Sequence, residues 1–225
     1  MKLYHGSEFI IEHPIYGKGK PHNDYGLGFY CTENIELAKE WGCGENYDGY
    51  ANMYEFDSTG MKLLDLSSDG YSILNWIAIL LENRTFRITN GVAKDAKEYL
   101  LDNFLIDIHG YDCIKGYRAD DSYFAFASDF LNNAITVRQL SSAMKLGKLG
   151  MQYVLVSREA FDRIEFLGVE DAPRNKYYKL KMNRDHEARN AYLESDRKHD
   201  YRNRNEFYVL DLMREDIRND DPRIR

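Results

Sequence analysis

The position of the strand-like segments constrains this chain most. Short stretches in which apolar and polar residues alternate, the two-residue period of a half-buried strand, fall into two groups, residues 1–66 and 111–169. Between and after these groups, apolar residues recur at helical spacing. A doubly wound parallel sheet needs strand and helix in regular alternation, and this order does not supply it. The pattern predicts an α+β fold: a split, mainly antiparallel sheet, helices inserted at about residues 70–110, and a charged helical appendage over 174–225 attached to a body of residues 1–173.

Within the first group, Lys2 to His5 reads as a strand and "PIYGKGKPHNDYGL" (14–27) as a long loop rich in turn residues. "GFYCT" (28–32) reads as a second strand. "NIELAKEW" is a helix that Thr32 or Asn34 caps and Gly42 ends. "NMYEFD" (52–57) and "MKLLDL" (61–66) flank "STG" as a hairpin or as consecutive strands. Ser72–Glu82 and Val92–Phe104 are helical. "YDCIKGY" (111–117) is a strand, followed by helices over "DDSYFAFASDFL" and Thr136–Leu146. "MQYVLVS" (151–157) is a strand with "DRIEFLGV" (162–169) as its expected neighbour.

A length of 225 residues with 44% apolar content fills one core. The most apolar window, "ILNWIAILL" (73–81), is far short of the roughly 18 residues of a membrane span. The opening "MKLYHGS" runs straight into a strand and has no leader-like segment. Three widely spaced cysteines, Cys31, Cys43 and Cys113, argue for a reducing compartment, hence the cytoplasm. With no CxxC or HExxH spacing, no metal is expected. Net charge is −7, unevenly spread: residues 1–173 carry −10 and residues 174–225 carry +3. The basic tail suits nucleic acid or an acidic partner, or is simply a solvated helix. The acidic body argues against non-specific DNA binding.

Three polar residues interrupt strands. His5 ends the first, Tyr30 sits in the second, and Gln152 stands where "MQYVLV" should be apolar. Singly they read as a satisfied core histidine, a strand aromatic and an edge residue. As an ordered set they carry a resemblance. "YHGS", a long Gly/Pro loop and then "GLGFYCTENIELAKEW" resemble the opening of the ADP-ribosyltransferases of the diphtheria-toxin and poly(ADP-ribose) polymerase type. "MQYVLVSREAFDRIEFLGV" resembles the later strand–turn–strand of those enzymes, which bears the third catalytic position. The wider resemblance covers residues 2–169. The whole chain is similar to an uncharacterised bacterial family of that superfamily, often encoded beside a small antitoxin-like partner.

The resemblance implies NAD as substrate, bound in a cleft of the split sheet. It implies that His5 bonds a ribose hydroxyl, that Gly6 offers its backbone N–H and C=O to the nicotinamide amide, and that Ser7 adds a hydroxyl. Gly28 belongs to the Gly-x-Gly step before Tyr30, which stacks on nicotinamide. Gln152 stands where active members have Glu. An amide bonds a hydroxyl but brings no negative charge to a developing cation. Asp120 and Asp121 are therefore candidate replacements, with Asp121 the catalytic one, or else they are the cap and first turn of a helix. Arg118 is a candidate phosphate contact; Arg84, Arg87, Lys18 and Lys20 are weaker ones. The implied function is mono-ADP-ribosylation of a macromolecular acceptor by a toxin or defence effector. The alternatives are an NAD- or ADP-ribose-binding pseudoenzyme, an NAD glycohydrolase, and an interaction module acting through the C-terminal helices.

Overall fold

Seven strands of the described residues form two sheets. The structure is a computed structural model that describes residues 1–86, 88, 91–119, 121–146, 150–198 and 206–224. The first sheet has the order β1 (Lys2–Ser7), β3 (Gly49–Phe56), β7 (Ile164–Ala172) and is antiparallel throughout. The second has the order β2 (Phe29–Cys31), β6 (Met151–Leu155), β5 (Cys113–Tyr117), β4 (Leu63–Asp65), antiparallel except for the parallel β4–β5 pair. The two sheets touch through backbone at Tyr4 and Thr32, which exchange N–H···O=C bonds of 2.8 and 2.9 Å. The fold is thus α+β, as the segment order predicts. The segments around "STG" are consecutive strands, the second of the two alternatives, and not a hairpin, since β3 and β4 lie in different sheets. One pairing differs from expectation: β7 pairs with β3 rather than with β6, because the short helix α6 (Arg158–Asp162) carries the chain from one sheet to the other.

Strand alternation decides what each sheet face meets. Leu3, Tyr54 and Phe56 of the first sheet and Phe29, Cys31, Cys113, Tyr153 and Leu155 of the second share one core between the sheets. Tyr30, Ile114 and Val154 belong to the other face of the second sheet, and the helical block covers them. That block is α2 (Ile73–Asn83), α3 (Gly91–Phe104), α4 (Asp121–Leu131) and α5 (Val137–Ala143). Helix α2 is apolar nearly all round and accordingly buried all round. Ser72 and Asn75 form its capping box. All three cysteines are free and buried.

Helix α1 (Ile35–Gly42) starts where Asn34 Oδ1 accepts the N–H groups of Glu36 and Leu37 at 3.0 and 3.2 Å. It lies against β1 and β3 so closely that backbone meets backbone. A Cβ on Gly6 would come within 2.0 Å of Ala38 O, and one on Gly49 within 2.1 Å of Gly42 O.

The described part of residues 174–225 makes contacts with the body. Helix α7 (Arg174–Arg197) follows β7 and is tied down along its length. Tyr177 Oη reaches Glu36 at 3.1 Å, Arg184 makes two bonds to Glu40 at 2.9 and 2.8 Å, and Tyr192 Oη donates to Asp129 at 2.7 Å. It therefore spans from α1 to α4. Helix α8 (Val209–Arg214) buries Val209 and Leu212 in the helical block. The charged pattern that reads as a solvated tail reflects α7's outer face; its few anchors are Tyr and Arg side chains that composition does not flag. Among the described residues no helix is long and apolar enough to cross a membrane.

Candidate functional site

Beyond the Tyr4–Thr32 bridge β1 and β2 part, and the site begins there. Tyr4 turns its N–H and C=O toward β2, so strand alternation turns those of Gly6 to the same side. A further ladder step would bring Gly6 to the Tyr30 carbonyl. Instead His5 takes that carbonyl, with Nδ1 at 2.7 Å. A carbonyl only accepts, so the ring proton sits on Nδ1 and Nε2 is left as an acceptor. Phe29 stacks on the ring at 4.4 Å and Tyr54 meets Phe29 edge-on, which fixes the imidazole plane.

The long loop between β1 and β2 folds over this point. Fully buried Asn52 holds its first half: Oδ1 accepts Ile11 N–H at 2.8 Å, and Nδ2 donates to Phe9 O at 3.1 Å. Tyr30 holds its end, donating to Gly26 O at 2.6 Å and accepting from Tyr25 N–H at 3.0 Å. Burial pushes the Tyr30 hydroxyl far above its ordinary range.

Gln152 lies on β6 with 1% of its surface exposed. Its Nε2 donates to Asp24 Oδ2 at 3.0 Å and to the Tyr117 carbonyl at 3.1 Å. Both partners are acceptors, so the amide orientation is determined, and Oε1 is the group it has left to offer. Asp24 comes from the loop and is 7% exposed. Its Oδ2 also accepts Ala119 N–H at 3.0 Å, and its Oδ1 lies 3.6 Å from Arg84 Nε. Burial raises the Asp24 carboxyl above its ordinary value, against the pull of the Ala119 bond, Arg118, Gln152 and Arg84.

These groups line one cleft of about 950 Å³, at the upper end of small-molecule sites. Its lining includes His5, Gly28, Tyr30, Gln152 and Arg118, five of the residues singled out from sequence. Among the described residues it also carries six cations, Lys18, Lys20, Arg84, Arg118, Lys181 and Arg189, against three carboxylates, Glu12, Asp24 and Asp185. On a chain of net charge −7 this concentrates positive potential in one place. Aromatic rings hold two of the guanidinium groups: Arg118 lies over Trp41 at 3.7 Å and Arg84 over Phe124 at 4.5 Å.

Two expected contacts fall elsewhere. Ser7 does not line the cleft; its Oγ accepts Phe9 N–H at 3.1 Å and closes the turn after β1. The missing side chain of Gly6 makes room for α1, and Gly6 does not line the cleft. Asp120, Arg87 and the Asp121 side chain lie outside the described residues. Sequence reasoning missed Asp24, which sits in "HNDYGL", where Asn and Asp read as turn chemistry. It also missed Lys181, Met182, Asp185 and Arg189, which α7 brings to the cleft. Among the described residues no group of three or more His, Cys, Asp or Glu side chains is placed as metal ligands would be.

One pH effect follows from His5. Burial chiefly, with Arg118 adding, holds its pKa below the ordinary 6.5 although the Tyr30 carbonyl raises it. The unfolded chain takes a proton near 6.5 and the folded ring only at lower pH. Stability is therefore lost as pH falls from above 6.5 into that window. In denaturant melts, His5→Gln is expected to show a shallower loss of stability on acidification than the wild type. An equal slope in both would count against it.

Residues 1–166 match the model of a family described as Protein of unknown function (DUF3990). Comparison with curated proteins and with solved structures gives no match.

Proposed function

Since the chain belongs to the DUF3990 family, which carries no assigned activity, we propose its function from the cleft: it binds NAD and transfers ADP-ribose to an acceptor, releasing nicotinamide. The observation that carries this reading is the convergence of His5, Tyr30 and Gln152, far apart in sequence, on one cationic cleft. A pyrophosphate suits a lining rich in Lys and Arg. The neutral His5 ring offers Nε2 to a ribose hydroxyl. When the bond from ribose C1′ to nicotinamide breaks, its electron pair returns to the ring nitrogen and C1′ becomes cationic. The acceptor's nucleophilic atom then bonds C1′ and gives up its proton.

At the rim, Phe9 is 66% exposed and Ile15 58%. Exposed apolar side chains beside a reactive cleft favour a protein acceptor over a polynucleotide. A toxin or defence effector that modifies a protein would fit this arrangement. The engaged amide of Gln152 favours one other reading, a pseudoenzyme that holds NAD without turning it over.

The test follows nicotinamide from purified protein and NAD, alone and with Tyr30→Phe and Tyr30→Ala. Wild-type release that falls at least about 10²-fold in Tyr30→Ala and survives better in Tyr30→Phe supports the proposal. NAD binding without release leaves the pseudoenzyme. Neither binding nor release from wild type ends both readings.

A further inference from the structure

The resemblance leaves the cleft without the carboxylate that its active members place opposite the ribose. We propose that Asp24 supplies that negative charge and that Gln152 is the positioning residue that holds it. This inference rests on the ADP-ribosyl transfer reading.

Asp24 stands beside Gln152 in the cleft lining, bonded directly to its amide. The pair is built rather than incidental. Gln152 spends one amide hydrogen on Asp24 and the other on the Tyr117 carbonyl, so it cannot turn away. The Tyr117 carbonyl is itself fixed by Tyr25 Oη at 2.8 Å and Trp76 Nε1 at 3.0 Å. Ala119 N–H holds the same Asp24 oxygen from the end of β5. A carboxylate so bonded cannot reorient as charge develops, which is the arrangement that gives electrostatic stabilisation its size. Arg84 and Arg118 favour its ionised form, although burial outweighs them and raises the carboxyl above its ordinary value; burial likewise raises the Tyr25 and Tyr30 hydroxyls, which stay neutral. Cleavage leaves positive charge at C1′ and O4′ of the ribose, and the fixed Asp24 carboxylate faces it. No proton moves to or from Asp24 in this step.

The proposal reverses the ordinary expectation for Gln152→Glu. By resemblance alone that change restores a missing acid and raises activity. Here it sets a second carboxylate 3.0 Å from the first. Two carboxylates so close share a proton, so the pair carries no more charge than before and loses its amide clamp.

The experiment measures NAD binding by calorimetry and nicotinamide release over a range of pH for wild type, Asp24→Asn, Gln152→Glu and the exchanged pair Asp24→Asn/Gln152→Glu. Asparagine keeps an oxygen for Ala119 N–H and the Gln152 amide and turns its NH2 toward Arg84, so the charge and the Arg84 contact are removed together. The expected result is a fall in kcat of about 10²-fold or more for Asp24→Asn, with NAD affinity within a few fold. Gln152→Glu should release less nicotinamide than wild type, and the exchanged pair at least about tenfold more than Asp24→Asn. Wild-type release should decline on acidification as both Asp24 and His5 take up protons, and Asp24→Asn should lose the Asp24 part of that limb and keep the His5 part.

An active wild type matched by Asp24→Asn, or exceeded by Gln152→Glu, overturns the assignment and leaves ADP-ribosyl transfer standing. NAD binding without release from wild type overturns the assignment but keeps the cleft as an NAD site. Absence of both binding and release removes the underlying reading as well. Where Asp24→Asn melts too low to assay, the Gln152→Glu result decides.

Discussion

Gly6→Ala lowers the unfolding free energy by about 3 kcal/mol in denaturant melts, the upper range for overpacking a close contact. The added Cβ would sit 2.0 Å from Ala38 O and 2.6 Å from Gly42 N. Both are backbone atoms of α1, so no rotamer change relieves the clash. Gly42 and Gly49 tighten the same point: a Cβ on Gly42 would lie 2.6 Å from Tyr50 O, and one on Gly49 2.1 Å from Gly42 O. The strand or the helix must move, and β1 also carries the bridge to the second sheet. The resemblance gives Gly6 a ligand-facing role, which alone would cost binding and leave stability intact. A melt within about 0.5 kcal/mol of wild type would restore the ligand role as the whole explanation.

Arg184→Ala is expected to cost about 3 kcal/mol as well, for a different reason. The Glu40 side chain is 3% exposed and takes two bonds from Arg184. Removing the guanidinium leaves that carboxylate buried without the charge that faces it. Hydrogen exchange should rise along α7, and NAD binding should weaken, since Lys181 and Arg189 reach the cleft from that helix. Adding Glu40→Gln should recover part of the loss, because a buried amide costs less than a buried charge. If Arg184→Ala melts with wild type and α7 stays protected, the helix is held by its Tyr anchors instead.

What the sequence made legible was local. The alternation in "KLYH" and "MQYVLV" identifies strands because one face meets a core, and Asn34 marks the start of α1 because its side chain satisfies two N–H groups. His5, Tyr30 and Gln152 stand out because each is polar where its strand should be apolar. Pairing was not legible. β7 follows β6 through the short helix α6 yet joins β3, and nothing in "DRIEFLGV" records which edge is open. Asp24 was hidden because an aspartate in a Gly- and Asn-rich loop is ordinary; its partners Arg84, Ala119 and Gln152 all lie far along the chain. α7 was hidden because a helix anchored by Arg and Tyr has the composition of a solvated one.

The Asp24–Gln152 bond joins residues 128 apart in the chain, and this has a consequence for synthesis. Long sequence separations slow folding, because the loop must close before any contact rewards it. A ribosome adding about 5–20 residues per second delivers His5, Asp24 and Tyr30 well before β6 and α7 exist to complete the cleft. A nascent chain therefore holds only part of this cleft for several seconds, until β6 and α7 supply its last wall.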